Sequence, residues 1–255
     1  MTPGFLLFLS MTVVLSATIS QDQSDASLGI SEFIKQANAS IEKEQQFRTI
    51  SPRFRRNADP CTETYCKWPG GHYVIVPYEI SCSYTSAERE IIVRGLLSFH
   101  DSTCIRFVPK SLNTRDYLYF FSGAGCSSYV GRQQGKQNIS LASGCLNKAT
   151  IQHEVLHALG FHHEQSRSDR DQHVQILTKN IKPGHERNFK KVQTNNLGTS
   201  YDFKSVMQYS KYAFSKKRNH PTIFAKSNPK LEFKKAKEMS DNDIARVNRL
   251  YKCSE

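Results

Sequence analysis

The sequence predicts an α+β domain. Segments with strand character mix with segments of helical periodicity up to about residue 170. Beyond that point strand signals become poor, and a last helical pattern begins at Ser240. The chain of 255 residues is long enough for one such domain with additional segments, or for two small domains. Its 38% of hydrophobic residues can form a packed core, which excludes a disordered chain.

The predicted strands are short runs rich in β-branched and aromatic residues. Each run is bounded by polar or turn-forming residues, as is typical of strands in a small sheet. Strands are predicted at residues 73–80, 105–108, 117–121, 128–130 and 139–142.

Three predicted helices begin at recognisable capping residues. Thr85 and Glu88 form a capping-box pattern, which predicts a first helix that runs to about residue 101. Asn147 is a favourable N-cap for a second helix. Ser240 and Asp243 are spaced to open the last one.

The N-terminus resembles a secretory signal peptide over residues 1–20. Its apolar run, residues 5–14, is too short to span a bilayer, and small residues follow it. An uncleaved anchor is the alternative.

Residues 21–56 end in Arg53-Phe54-Arg55-Arg56, which resembles the cleavage site of a furin-like convertase. We therefore expect a removable propeptide there and one mature domain over residues 57–255, with a solvated basic linker as the alternative to the cleavage site.

The charge balance favours acidic partners. Lys and Arg number 35 against 23 Asp and Glu, a net charge of +12. Between Lys204 and Lys237 there are ten basic residues and one acid, Glu232. Such a run is usually a solvated face, and a specific polyanion site is the alternative.

No long apolar run follows the N-terminus, which excludes a multi-span membrane protein. The seven cysteines should mostly pair in an exported protein, but their connectivity stays open.

The strongest chemical signal is the pattern His153-Glu154-x-x-His157-x-x-Gly160-x-x-His163. On a helix, His153 and His157 lie on one face and can reach the same metal ion. Glu154 is rotated by about 100° around the helix, so it can act on a reactant without ligating the metal. Gly160 can adopt positive φ and end the helix, which allows His163 to become the third ligand. Three histidines leave one position open, as in a catalytic zinc site.

This pattern and a downstream Met-turn form the metzincin signature. Residues 153–170, HEVLHALGFHHEQSRSDR, and residues 205–209, SVMQY, resemble the astacin family of secreted metalloendopeptidases. The cysteine spacing resembles the six-cysteine branch that includes fish hatching enzymes. The resemblance implies a metzincin-type zinc protease domain. Such a domain has a twisted mixed sheet with two long helices in its N-terminal part and a mostly irregular C-terminal part ending in a helix.

The resemblance also implies the roles of the site residues. One zinc ion per chain would be bound by His153, His157 and His163. Glu154 would be the general base, and Tyr209 a weak fifth ligand that helps to stabilise the oxyanion.

Further roles follow from the same resemblance. Met207 would pack beneath the zinc, and Glu164 would meet the new N-terminus at Asn57. The strand at residues 139–142 is the candidate edge for pairing with an extended substrate. The implied disulfides are Cys104–Cys253, Cys126–Cys145 and Cys61–Cys66, which leaves Cys82 unpaired.

The sequence departs from the family pattern at two positions and in one segment. Gln208 replaces the usual His of the Met-turn, and His173 replaces a common Tyr. Residues 45–58 contain no Asp or Glu, although family propeptides often carry an inhibitory Asp.

These features predict a secreted zinc endopeptidase that cleaves internal bonds of egg-envelope or extracellular-matrix proteins. The expected partners are a protein or peptide substrate, an activating convertase-like protease and, as a candidate, an acidic glycan. We expect no nucleic-acid partner, no membrane span and a monomer. The alternative function is a catalytically inactive, secreted basic binding protein with a zinc-stabilised fold.

Overall fold

The computed structural model describes residue 62 and residues 65–253. The predicted signal peptide, propeptide and convertase site lie outside these residues, as do Asn57 and Cys61. Within the described part of the chain, none of the helices has the length and apolar character that a membrane crossing requires.

A five-stranded mixed sheet forms the N-terminal half. Its strands are β1 (Val74–Ile80), β2 (Ile105–Pro109), β3 (Tyr117–Phe121), β4 (Cys126–Ser128) and β5 (Lys136–Leu141). They lie in the order β2-β1-β3-β5-β4. The pairs β1–β2, β1–β3 and β3–β5 are parallel, whereas β4 runs antiparallel to β5. The predicted mixed sheet is therefore confirmed.

The edge of the sheet differs from the prediction. Residues 139–142 were expected to form the edge, but β5 lies between β3 and β4, with Ser140 opposite Ser127. The edge strand is β4, which spans Cys126–Ser128 rather than residues 128–130. A disulfide from Cys126 to Cys145 holds β4 beside the end of β5, so the outer hydrogen-bonding edge belongs to β4.

All three predicted helices form, each with the predicted cap. They are α1 (Ser86–Leu97), α2 (Lys148–Ala158) and α3 (Asp241–Tyr251), of which α1 and α3 carry complete capping boxes. Helix α1 ends earlier than predicted. The Ser98 hydroxyl donates to Gly95 O and the Thr103 hydroxyl to Phe99 O, so side chains satisfy carbonyls where the helix would have continued.

Close packing fixes α2 against α1. A Cβ at Gly95 would lie 2.6 Å from a methyl carbon of Ile151, so only glycine permits this approach of the two helices. Ile151, Val155 and Leu156 are buried in the same core as the inward residues of the sheet. Helix α2, which carries the metal-binding pattern, is thus held on both sides by apolar contacts.

The C-terminal half contains a small second sheet that the sequence did not reveal. Strands β6 (Val174–Ile176) and β7 (Ile223–Ala225) pair antiparallel. They cover a second apolar core, whose buried residues are Val174, Ile181, Phe189, Tyr201, Ile223 and Phe233. Apart from these strands, short 3-10 turns and α3, this half is irregular, as predicted.

The disulfides agree with the pattern that the resemblance implied. Cys104–Cys253 and Cys126–Cys145 are bonded, and Cys82 is free and exposed. Cys66 is disulfide-bonded too, and its predicted partner lies outside the described residues. Closing the loop of 149 residues between Cys104 and Cys253 should stabilise the fold by about 5 kcal/mol on the chain-entropy view.

Candidate metal centre

The two ends of α2 set the position of the metal-binding pattern. Asn147 accepts a hydrogen bond from Thr150 N at the start of the helix. At its end Gly160 adopts φ +107°, and Phe161 N–H donates back to Leu156 O. This Schellman-type turn reverses the chain, so the segment after the helix returns towards it.

Three imidazole nitrogens converge as predicted. The Nε2 atom of His163 lies 3.1 Å from Nε2 of His153 and 3.3 Å from Nε2 of His157. His153 Nδ1 is 2.8 Å from Val206 O, and His157 Nδ1 is 2.7 Å from Phe161 O. Because a carbonyl can only accept, both Nδ1 atoms carry the hydrogen, which leaves Nε2 as a lone-pair donor towards the centre.

The donor set fits a zinc ion. The three ligand atoms all lie within 4.8 Å of one another. Tetrahedral bonds of about 2.0–2.1 Å place neighbouring ligand atoms about 3.3 Å apart, close to the two separations observed at His163. Backbone carbonyls fix the tautomer of His153 and His157, which is the usual outer support of a metal-bound imidazole.

Burial keeps the three imidazoles in the neutral form that binds metal. Desolvation lowers the pKa of His153 and of His163, and lowers the pKa of His157 to about 3. The mutual proximity of the rings adds to the shift at His157 and at His163. The cluster is therefore arranged to hold a cation rather than to carry its own positive charge.

Glu154 is buried beside the histidines. Desolvation raises the pKa of its carboxyl to about 7, and the positive charge of Lys235 opposes that shift. Lys235 Nζ donates to the hydroxyl of Thr150, one turn before Glu154 on α2. A carboxyl in this position can accept and release a proton.

Tyr209 lies next to the third histidine. Its ring centroid is 4.5 Å from that of His163, and it also contacts the rings of Phe189 and Phe214. Burial, followed by the nearby Glu154, raises the pKa of its hydroxyl to about 12. The hydroxyl therefore remains a proton donor at neutral pH.

The Met-turn joins α2 to the segment after it. Val206 O receives the hydrogen bond from His153, and Met207 O accepts from Glu164 N–H at 3.0 Å. Met207 is buried, and with His163 it borders a small cavity. The backbone of the turn therefore supports His153 directly and holds Glu164, the residue after His163.

The two residues of the C-terminal half that depart from the family pattern, Gln208 and His173, both contact Tyr201. The Tyr201 hydroxyl donates to Gln208 Oε1 at 2.5 Å, and Gln208 Nε2 donates to Tyr209 O. The ring of His173 stacks on Tyr201 with centroids 5.1 Å apart. Gln208 thus ties the Met-turn to Tyr201, and neither replacement adds a group to the histidine cluster.

Two residues of α3 organise the site and were missed by the sequence analysis. Asp243, predicted only as a cap, accepts from the Ser205 hydroxyl and from Val206 N–H. Arg246 forms two hydrogen bonds with the carboxylate of Glu164, at 2.7 and 2.8 Å. Both contacts join residues far apart in sequence, so spacing carried no signal for them.

Glu164 itself is fully buried. Besides Arg246, its Oε1 atom accepts from Arg167 at 3.2 Å and from Asp202 N–H at 2.7 Å. Burial raises the pKa of Glu164, and the two guanidinium groups oppose that shift. The cavity bordered by Met207 also touches Glu164.

Comparison with known proteins agrees with this geometry. Residues 61–252 match the peptidase family described as Astacin. The chain belongs to the astacin family. It is therefore a zinc metallopeptidase that acts on protein substrates.

Among its relatives are enzymes of the medaka, Oryzias latipes. Low choriolytic enzyme is 43% identical over 237 residues, which cover 91% of this chain and 86% of the relative. High choriolytic enzyme 1, a hatching-enzyme zinc protease, is 42% identical over 201 residues, or 78% of this chain and 74% of the relative. Its solved structure matches with a TM-score of 0.75 at 41% identity and covers 78% of this chain and 100% of that one.

Other matches include a longer protein and a solved structure of lower sequence identity. Zinc metalloproteinase nas-13 of Caenorhabditis elegans is 42% identical over 202 residues, which cover 78% of this chain but only 43% of that longer protein. The structure of myroilysin matches at 19% identity with a TM-score of 0.53, covering 74% of this chain and 96% of that one, and shows the fold alone.

Proposed function

We propose that this astacin-family chain is a secreted endopeptidase that holds one zinc ion on His153, His157 and His163. Glu154 is the general base, and Tyr209 supports the transition state. The observation that carries the proposal is the convergence of three Nε2 atoms beside the buried carboxyl of Glu154.

The zinc ion, when bound, supplies a Lewis acid that polarises the scissile carbonyl and lowers the pKa of a water to about 7. Glu154 accepts a proton at its carboxylate as the nucleophile attacks and returns it to the leaving amine. His153 and His157 are held in the ligand-competent tautomer by Val206 O and Phe161 O.

Tyr209 donates its hydroxyl hydrogen to the oxyanion that develops during attack. The raised pKa of this phenol keeps the hydrogen in place, and contact with three rings restrains its direction. Such a preorganised donor stabilises charge only as it forms, which lowers the barrier rather than the substrate's free energy.

Export of the protein is supported by the signal-like residues 1–20 and by the observed disulfides. The choriolytic relatives support substrates in the egg envelope, with extracellular-matrix proteins as the second class. We further propose that the enzyme is monomeric and uses no nucleic-acid partner, and that an acidic glycan is a candidate partner for its basic surface.

Activation is proposed to follow cleavage after Arg56 by a convertase-like protease. The new N-terminus at Asn57 would then meet Glu164, whose carboxylate borders the small cavity near Met207. Glu164 Oε2 accepts one hydrogen bond in the described structure, from Arg246, so it can accept a further donor.

A single substitution separates the enzyme from the inactive binding protein. Glu154→Gln should abolish peptide cleavage while zinc stays bound, because the carboxyl is not a ligand. Glu238→Gln is the matched control, since Glu238 is exposed and pairs with Lys148 on the surface. Zinc content by atomic spectroscopy and cleavage of a quenched fluorescent peptide give the two readouts. Full cleavage by Glu154→Gln would contradict the proposal.

A further inference from the structure

A concentration of positive charge lies on the C-terminal half of the molecule. Two segments that are distant in sequence meet there through backbone hydrogen bonds. Lys182 N–H donates to Phe214 O at 2.9 Å, and Lys216 N–H donates to Asn180 O at 2.8 Å. The Lys216 ammonium also donates to a backbone carbonyl of the opposite segment, that of Lys179. The fold therefore brings together charges that the sequence keeps apart.

This basic surface consists of exposed side chains from both segments. Its members are Lys179, Lys182, His185, Lys216, Lys217 and Arg218. Across residues 178–187 and 215–220 the one acid is Glu186, whose carboxylate accepts from Gly184 N–H. In the part of the chain that the structure describes, none of the five Lys and Arg residues forms an ion pair with an acid. Their charges are therefore available to a partner.

A series of ring contacts connects the basic surface to the candidate metal centre. The ring of His185 stacks on Phe214 with centroids 4.9 Å apart. Phe214 in turn contacts Tyr209 at 5.5 Å, and Tyr209 contacts His163 at 4.5 Å. A polypeptide bound at Tyr209 that continues past Phe214 therefore meets the basic surface.

We propose that the basic surface is an exosite that binds an acidic segment of the protein substrate, outside the residues at the scissile bond. The proposal rests on the proposed function, because both place the bound substrate at Tyr209. A protein substrate is the occupant that the structure favours, since it is the one partner of a peptidase that must pass Tyr209. A sulfated glycan shares the negative charge but has no such reason to lie there.

The energetics predict an effect on binding rather than on chemistry. Exposed charges interact weakly in pairs, but several of one sign raise the encounter rate and hold an acidic segment near the cleft. The preference should therefore act mainly through KM. It should also fade above roughly 0.5 M salt, where charges are screened over a few ångströms.

Two peptides with one shared, neutral cleavable core test the proposal. One carries a tail of Asp and Glu, placed at either end in separate versions, and the other a tail of Ser and Asn. The variant replaces Lys216, Lys217 and Arg218 by Glu. The matched control makes the same charge change at Lys226, Lys230 and Lys234, which are exposed and lie outside the basic surface.

In low salt the wild-type enzyme should cleave the acidic peptide with about tenfold higher kcat/KM than the neutral one. The exosite variant should lose that preference but cleave the neutral peptide at the wild-type rate. The control variant should keep the preference for the acidic peptide. A preference that persists in the exosite variant, or that both variants lose equally, overturns the proposal.

Direct binding keeps the exosite testable if the catalytic assignment fails. Fluorescence anisotropy of a labelled acidic tail without the cleavable core should show binding to Glu154→Gln protein. That binding should weaken about tenfold with the exosite substitutions and not with the control set. If the substitutions weaken binding of heparin but leave that of the acidic tail unchanged, the surface serves a glycan and the proposal is wrong.

Discussion

The proposed role of the Tyr209 hydroxyl as an oxyanion donor can be tested by removing that one oxygen atom. Tyr209→Phe retains the ring that packs on His163, Phe189 and Phe214, so the fold should be unchanged. Loss of one oxyanion donor should lower kcat about 10²-fold with little change in KM, because the donor acts only in the transition state. Steady-state kinetics on one peptide measure both constants, and wild-type values in Tyr209→Phe would remove Tyr209 from the mechanism.

His100 should make stability depend on pH without touching the site. Its Nε2 accepts from Phe107 N–H at 3.0 Å, and burial, with a smaller effect of Arg106, lowers its pKa from 6.5 to about 4. Protonation therefore favours the unfolded chain. The stabilisation is fully present above pH 6.5 and is lost as pH falls towards 4.

The expected loss from His100 between pH 6.5 and 5 is about 2 kcal/mol. His100→Gln keeps an acceptor for Phe107 N–H but cannot titrate, so its stability should fall less over that range. The exposed His220→Gln is the control. Urea unfolding of the three proteins at several pH values measures the difference, and identical acid limbs for His100→Gln and wild type would refute the assignment.

At the scale of elements, helix α3 holds the Met-turn and the segment after α2 in place through side-chain hydrogen bonds. Arg246 holds both carboxylate oxygens of Glu164 and also donates to Ser200 O and to the hydroxyl of Thr199. Arg246→Met would leave Glu164 buried with only one guanidinium partner. Breaking such a buried pair should cost about 3–5 kcal/mol, or roughly 10 °C in Tm for a domain of this size.

Arg249→Met on the same helix is the control for Arg246→Met. Arg249 is exposed, and within the described residues its side chain donates only to Leu197 O, so its loss should change stability by less than about 1 kcal/mol. Thermal unfolding followed by circular dichroism compares the two variants. Equal Tm values would show that α3 does not anchor Glu164.

The candidate metal centre shows why part of the site was predictable from the sequence and part was not. His153, His157 and His163 lie within one short segment, so a helix and the glycine turn after it are enough to bring them together. Arg246 reaches Glu164 across 82 residues, and only the fold reveals that contact. Local periodicity reports local neighbours, and residues distant in sequence leave no trace in it.

The three shortest strands were misplaced or missed for similar reasons. Strands β4, β6 and β7 have three residues each, too few to show alternation. The edge position of β4 depends on a disulfide and on pairing with β5, which the residues 139–142 do not encode. The longer strands and the capped helices were found because their signals lie within the element itself.

At the scale of the whole molecule, activity should depend on removal of residues 21–56. The proposed propeptide ends at Arg56, and residues 45–58 contain no acid that could hold the site inactive. Arg56→Ala should therefore give a secreted but largely inactive precursor, because Glu164 would not meet the new N-terminus. N-terminal sequencing of the secreted protein should find Asn57 in the wild type. A start well away from Asn57, or normal processing of Arg56→Ala, would contradict this route.

The central claim is that three histidines hold one catalytic zinc ion, and metal titration tests it most directly. The mature enzyme is stripped with a chelator, and zinc is added back while bound metal and peptide cleavage are measured together. We predict that activity vanishes on stripping and returns as occupancy approaches one zinc per chain. His153→Ala, His157→Ala and His163→Ala should each weaken retention of the metal. Full zinc occupancy and full activity in any one of these variants would show that its histidine is not a ligand.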